Sequence, residues 1–169
     1  MIDNTFEKLD NGIIIELQKY DYKKEARMIS KPFDYKEFLF LMLTLKYLKI
    51  LTNENIKKIF IGIIFVFYLK FFFKRVRPYK VNKRINNKSN VKLDRNSFPS
   101  GHAFVSSLFA IIMYRKFNNR LFLIIPIIVS FSRVYLGVHY PTDVVFGIFM
   151  SIVYSTIYDN HLVDKTILN

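Results

Sequence analysis

Three short stretches of the chain hold residues able to bind an anion and move a proton. In one, Pro99-Ser100-Gly101-His102 leads into an apolar run over 103–114. Ser100 and Gly101 read as the N-cap or first turn of a helix. Unpaired N–H groups and the positive end of the helix dipole make such a turn an anion site, and Gly101 admits an anion without a Cβ in the way. His102 then stands beside it. Upstream, Lys70 and Arg77, the latter followed by Pro78, are seven residues apart, about two helical turns, which projects both cations from nearly one face of a helix end. A lysine between Leu69 and Phe71 is costly in hydrocarbon, so it carries a functional hypothesis even though snorkelling to headgroups would also accommodate it. Downstream, Ser132-Arg133 precedes His139 and Asp143. The last two are four apart across Tyr140-Pro141, which suits a carboxylate accepting from one ring nitrogen while the other addresses a substrate. Asp143 also fits as a cap for the helix that follows, and the two roles are compatible.

A phosphate seated among these stretches would meet Lys70, Arg77 and Arg133 as charge-assisted donors, together with the Ser100 hydroxyl and the Gly101 N–H. That cradle suits the charge on the equatorial oxygens during phosphoryl transfer. In order and spacing, the stretches resemble the signature of the type 2 phosphatidic acid phosphatase superfamily, K-x6-R-P, P-S-G-H and S-R-x5-H-x3-D, with every fixed position filled. The resemblance runs over about residues 36–158. It implies that His139 is the nucleophile of a phosphohistidine intermediate, Asp143 its partner, and His102 the acid that protonates the leaving oxygen and then the base for water. It implies a substrate-phosphate site of Lys70, Arg77, Ser100, Gly101 and Arg133, with no metal and no cofactor. The implied substrate is a lipid phosphate or diphosphate, either polyprenyl diphosphate, phosphatidate or phosphatidylglycerol phosphate. Small single-domain chains of this kind resemble bacterial undecaprenyl diphosphate phosphatases.

These residues must be positioned by the apolar segments between them, at 38–51, 59–73, 103–114, 121–137 and 144–158. None reaches the roughly 20 uninterrupted apolar residues of an unaided span, but flanking residues and snorkelling lysines bring each close. Three of the segments, 59–69, 121–131 and 144–158, are apolar around the whole helix, and a domain this small has too little interior to hide them from water. The expected fold is therefore all-α, a polytopic membrane helix bundle of about five spanning helices, with a soluble all-α bundle as the alternative. With five spans, the end of the 59–73 helix, the start of the 103–114 helix, the end of the 121–137 helix and the start of the 144–158 helix lie on one membrane face. All three motifs sit at those four points.

Composition sets the remaining bounds. Lys and Arg number 26 against 13 Asp and Glu, a formal charge of +13, while 51% of residues are hydrophobic. That pairing fits basic loops facing anionic headgroups or substrates. The basic segment 74–98 lacks interleaved exposed aromatics or a recognisable module, so no nucleic-acid partner is expected. Absence of cysteine excludes disulfides and thiolate metal sites, and the three histidines lack metal-ligand spacing. The chain divides into an amphipathic or interfacial segment 1–34, a phosphatase-like domain 35–158 containing the basic loop, and a tail 159–169. Asp3, Glu7 and Asp10 near the start argue against a cleaved signal peptide. Membrane lipids and a lipid phosphate are the expected partners, and no motif names a protein partner. The other functional classes compatible with the motifs are a soluble or peripheral acid phosphatase of the same superfamily and a non-catalytic membrane protein retaining the fold. On sidedness two arguments oppose each other. Lys74, Arg75, Lys80, Lys83, Arg84, Lys88, Lys92 and Arg95 on the motif-bearing face favour the cytoplasm by the positive-inside rule. The family resemblance favours the outer face of the cell membrane, and that is the expectation carried forward.

Overall fold

The structure is a computed structural model that describes residues 4–90 and 96–167; Asp3, Lys92 and Arg95 lie outside the described residues. Its helices are α1 (Asn4–Leu17), α2 (Lys23–Ser30), α3 (Tyr35–Tyr47), α4 (Asn53–Phe73), α5 (Pro78–Val81), α6 (Gly101–Phe117), α7 (Ile125–Tyr135) and α8 (Pro141–Ile167). Single 3-10 turns at Lys31–Phe33 and Arg120–Ile124 lead into α3 and α7. Among the described residues the one extended pairing is an isolated bridge between Val76 and Asn96, so the all-α expectation holds.

Local chemistry sets the helix ends. The polar break before α4 is a capping box, with Thr52 Oγ1 accepting from the Asn55 N–H and Asn55 Oδ1 accepting from the Thr52 N–H, each at 3.1 Å. α4 stops where Lys74 turns left-handed at φ 50°, and α6 stops the same way at Asn118. α6 has no polar face along most of its length, because α4, α7 and α8 surround it. Phe104, Leu108 and Met113 of α6 pack with Ile59 and Val66 of α4 and Met42 of α3. Where α6 begins, α8 approaches closely: a Cβ added at Gly147 would lie 2.7 Å from the Ser100 carbonyl oxygen.

One helical segment, Pro141–His161 of α8, is long and apolar enough to cross a membrane by length and composition among the described residues. α8 continues without a break past residue 159, where the sequence reading placed the start of a tail. α3 and α6 are shorter, at 13 and 17 residues, and α4 has the length but carries Glu54, Lys57, Lys58 and Lys70. Ile61, Ile64, Phe71, Ile127, Val145 and Ile157 nonetheless point outward as large exposed apolar side chains. At the end of the bundle away from the motifs, buried Lys58 donates to Ser155 Oγ at 2.8 Å and to Asp159 at 2.6 Å, joining α4 to α8.

The segment before α3 forms two helices packed against the bundle. Gln18 Nε2 donates to the carbonyls of Asn86 and Tyr135 at 2.8 and 2.9 Å, and Gln18 Oε1 accepts from the Asn86 N–H at 2.9 Å. Tyr135 Oη donates to the Tyr20 carbonyl and accepts from the Tyr22 N–H, both at 2.8 Å. These bonds tie the N-terminal helices to the basic segment and to the corner between α7 and α8.

Candidate active site

The four predicted chain positions converge on one end of the bundle. Lys70, Arg77, Gly101, His102, Arg133 and His139 all line a single cavity of about 540 Å³. Ser100 is the N-cap of α6, its hydroxyl accepting from the Ala103 N–H at 3.4 Å, as the sequence indicated. Gly101 keeps the approach open on the Lys70 side: a Cβ there would lie 3.7 Å from Lys70 Cε.

Arg77 reaches the cavity by a different route from the one its spacing implied. It does not share a helix with Lys70, because α4 ends at Phe73 and Arg77 lies beyond it as the N-cap of α5. Pro78 disfavours helical geometry in the residue before it, and Arg77 is extended at φ −69° and ψ 148°. The Val76 to Asn96 bridge fixes that strand-like turn, and the Arg77 side chain folds back so that Nη1 donates to the Val138 carbonyl at 2.8 Å. The same Nη1 lies 3.4 Å from His139 Nε2. Lys70 Nζ donates to the Asn96 carbonyl at 3.2 Å, which draws α4 and the chain before Pro99 together. Arg133 Nη1 donates to Ser30 Oγ at 3.3 Å, while its buried Nε has no hydrogen-bond partner among the described residues. A buried guanidinium N–H in that state is a donor for an anion.

His139 stands in the turn between α7 and α8, where Gly137 at φ 71° permits the tight reversal. Burial, followed by the charges of Lys70, Arg77, Arg133 and His102, pushes its pKa well below the ordinary imidazole value. The neutral ring leaves one nitrogen with a lone pair. Nδ1 faces Asp143 Oδ2 at 3.5 Å, too long for a well-made hydrogen bond. Asp143 is occupied elsewhere: it is fully buried and accepts from the Tyr140 N–H at 2.9 Å, and because α8 begins at Pro141 it is the third residue of that helix, bonding back to the N–H before it, and not the N-cap the sequence allowed.

Sequence reasoning missed the rest of Asp143's surroundings. Arg75 Nη1 donates to Asp143 Oδ1 at 2.8 Å and to Thr142 Oγ1 at 2.7 Å, and Nη2 donates to Asp10 Oδ2 at 3.0 Å. The guanidinium carbon sits 3.8 Å from the centroid of the Tyr140 ring. Asp10 in turn accepts from the Thr142 hydroxyl at 2.6 Å. Helix α1 therefore contributes a buried carboxylate to the surroundings of the histidine turn. Its amphipathic pattern was visible, but nothing local marks Asp10 as different from the other acids beside it. Asp34, also unmarked in sequence, lies 2.8 Å from His102 Nε2 through Oδ1.

The model of the PAP2 superfamily matches residues 56–162, more than half of the chain. The chain belongs to the PAP2 superfamily. Among curated relatives of this PAP2 chain, the bacitracin transport permease protein BcrC of Bacillus licheniformis is 35% identical over 78 residues, covering 45% of this chain and 38% of the relative. An undecaprenyl-diphosphatase of Sulfolobus acidocaldarius is 44% identical over 54 residues, covering 30% of this chain and 26% of the relative. The matched segments thus span less than two-fifths of those proteins' own lengths. In fold, the PAP2 chain is similar to a transmembrane PAP2-type phosphatidylglycerolphosphate phosphatase of Bacillus subtilis, with a TM-score of 0.74 and 22% identity over 98% of this chain and 89% of that one.

Proposed function

We propose that this PAP2 chain is a metal-independent integral-membrane phosphatase that hydrolyses a lipid phosphate or diphosphate. The observation that carries this reading is the polarity of the cavity. One end is walled by Phe38, Leu39 and Met42 of α3 and Ile59, Ile63 and Phe67 of α4; the other holds Lys70, Arg77, Arg133, His102 and His139. A molecule matching both ends has a hydrocarbon chain and a phosphate. The outward apolar side chains of α4, α7 and α8 support immersion in a bilayer, with α3, α4, α6, α7 and α8 as the five spans.

In this reading the three cations and the α6 N-terminus hold the phosphate in line with His139 Nε2. The imidazole nitrogen bonds to phosphorus as the bond to the lipid oxygen breaks, and His102 gives that oxygen its proton. A water molecule, deprotonated by His102, then attacks phosphorus; the P–N bond breaks, orthophosphate leaves, and both histidines return to their starting states. Asp143, held by Arg75 and the Tyr140 N–H, steadies the turn that aims His139. The relatives' names favour a polyprenyl diphosphate among the possible substrates, and the active site then faces outward from the cell membrane. The test is release of inorganic phosphate by the purified protein in detergent, in EDTA, from polyprenyl diphosphate, phosphatidate and phosphatidylglycerol phosphate. Turnover of at least one is expected, and inactivity on all three would overturn the assignment.

A further inference from the structure

Asp34 lies outside residues 56–162, the part of the chain that matches the family model, yet it contacts a site residue. It occupies the N-cap of α3 with extended backbone at φ −70° and ψ 151°, the place where an aspartate ordinarily accepts from its own helix. Here the side chain makes no cap hydrogen bond. Its Oδ1 is instead directed across to His102 Nε2 at 2.8 Å. The 3-10 turn Lys31–Phe33 makes this reach possible by setting the chain back between α2 and α3, and the same turn region brings Ser30 to Arg133.

The groups facing His102 are Arg133 from α7, Lys70 from α4, His139 from the following turn, and Asp34. Three of these disfavour a second proton on the imidazole or compete for one, and Asp34 is the anion among them. On the carboxylate itself burial acts upward, but the hydrogen bond to His102 and the charges of His102, Arg133 and Lys31 outweigh it and hold Asp34 below the ordinary carboxylate range. An ionised carboxylate bonded to Nε2 favours the doubly protonated ring and fixes its orientation, which leaves the Nδ1 proton for a leaving group.

We propose that Asp34 is the positioning residue of the general acid: its carboxylate opposes the cationic neighbours of His102 and orients the ring for donation to the leaving oxygen. The proposal rests on the phosphatase reading and deepens it. It predicts a dependence on the leaving group, because an alkoxide needs a proton to depart and a nitrophenolate does not.

The experiment compares wild type, Asp34→Asn and Asp34→Glu in detergent, measuring kcat/KM for a medium-chain alkyl phosphate and for p-nitrophenyl phosphate. kcat/KM reports the steps up to departure of the leaving group, so the later attack of water does not enter. Asp34→Asn is expected to lose roughly 10²-fold on the alkyl ester and less than about threefold on the aryl ester, with Asp34→Glu recovering most of the alkyl activity. Equal losses on both esters would show that Asp34 serves only the docking of α3, and undiminished alkyl turnover in Asp34→Asn would show that it serves neither; each overturns the proposal. Wild-type inactivity on both esters and on the three lipid substrates named above would instead remove the phosphatase reading beneath it.

Discussion

Arg75 Nη1 donates to Asp143 Oδ1 at 2.8 Å, so the carboxylate that faces His139 is held first by a guanidinium. Asp143 is fully buried, and removing its cation would leave a charge without compensation, at a cost on the order of 3–5 kcal/mol. Arg75→Lys retains the charge but loses the planar fork that spans Asp143, Thr142 and Asp10 and the stacking on Tyr140. The expected outcome is a folded protein whose kcat falls about tenfold or more while KM changes little, since the phosphate cradle is untouched. An altered KM at unchanged kcat would place Arg75 in substrate binding.

His139 is held neutral by burial and by Lys70, Arg77, Arg133 and His102. The sign follows directly: a ring whose pKa is depressed stays unprotonated as pH falls through the ordinary imidazole range, so the lone pair needed for attack persists in mild acid. Imidazole ¹⁵N NMR of the substrate-free protein in micelles measures this, with His102 and His161 signals assigned by substitution. The His139 signal should remain that of a neutral ring at about pH 6; half-protonation there would contradict the electrostatic account.

How far the sequence reached is clearest at Lys70 and Arg77. Their identities and their arrival at one cavity followed from motif and hydropathy, because helix ends on one side of a bundle are set by the order of the segments. The local geometry did not follow, since a left-handed Lys74 and the restriction imposed by Pro78 replace the two helical turns that spacing alone implies. Ser100 and Gly101 were readable because capping is a local effect. Arg75, Asp10 and Asp34 were not. Each meets its partner across 65 or more residues of chain, and no local pattern encodes such a meeting.

Gly147 lets α8 approach the turn that begins α6. Gly147→Ala would place a methyl group 2.7 Å from the Ser100 carbonyl oxygen, and backbone on both sides must shift to relieve it. A destabilisation of about 1–3 kcal/mol is expected, together with loss of turnover because Ser100 and Gly101 move with the turn. Thermal unfolding and phosphate release measured on the same preparation check this; wild-type values in both would show that the interface is looser than described.

Sidedness is open to labelling because the chain has no native cysteine. Part of the basic excess on the motif-bearing side is engaged within the protein: Arg75 binds Asp10 and Asp143, and Lys88 donates to Gln18 and Tyr135. These charges count less toward the positive-inside rule than free loop charges do. Arg84 is exposed in the segment joining α4 to α6, at the site's end of the bundle. Arg84→Cys should react with a membrane-impermeant thiol reagent on intact cells; reaction only after lysis would place the site in the cytoplasm.

The central claim is that His139 carries the phosphoryl group, and trapping it is the most direct measurement. Purified protein is mixed with polyprenyl diphosphate or another lipid phosphate it turns over, quenched in base within milliseconds, and its peptides are examined by mass spectrometry. The predicted result is a base-stable, acid-labile phosphoryl group on His139, absent from His139→Ala, which should also lose nearly all phosphate release. A phosphopeptide at any other residue, or near-normal turnover by His139→Ala, would contradict the account.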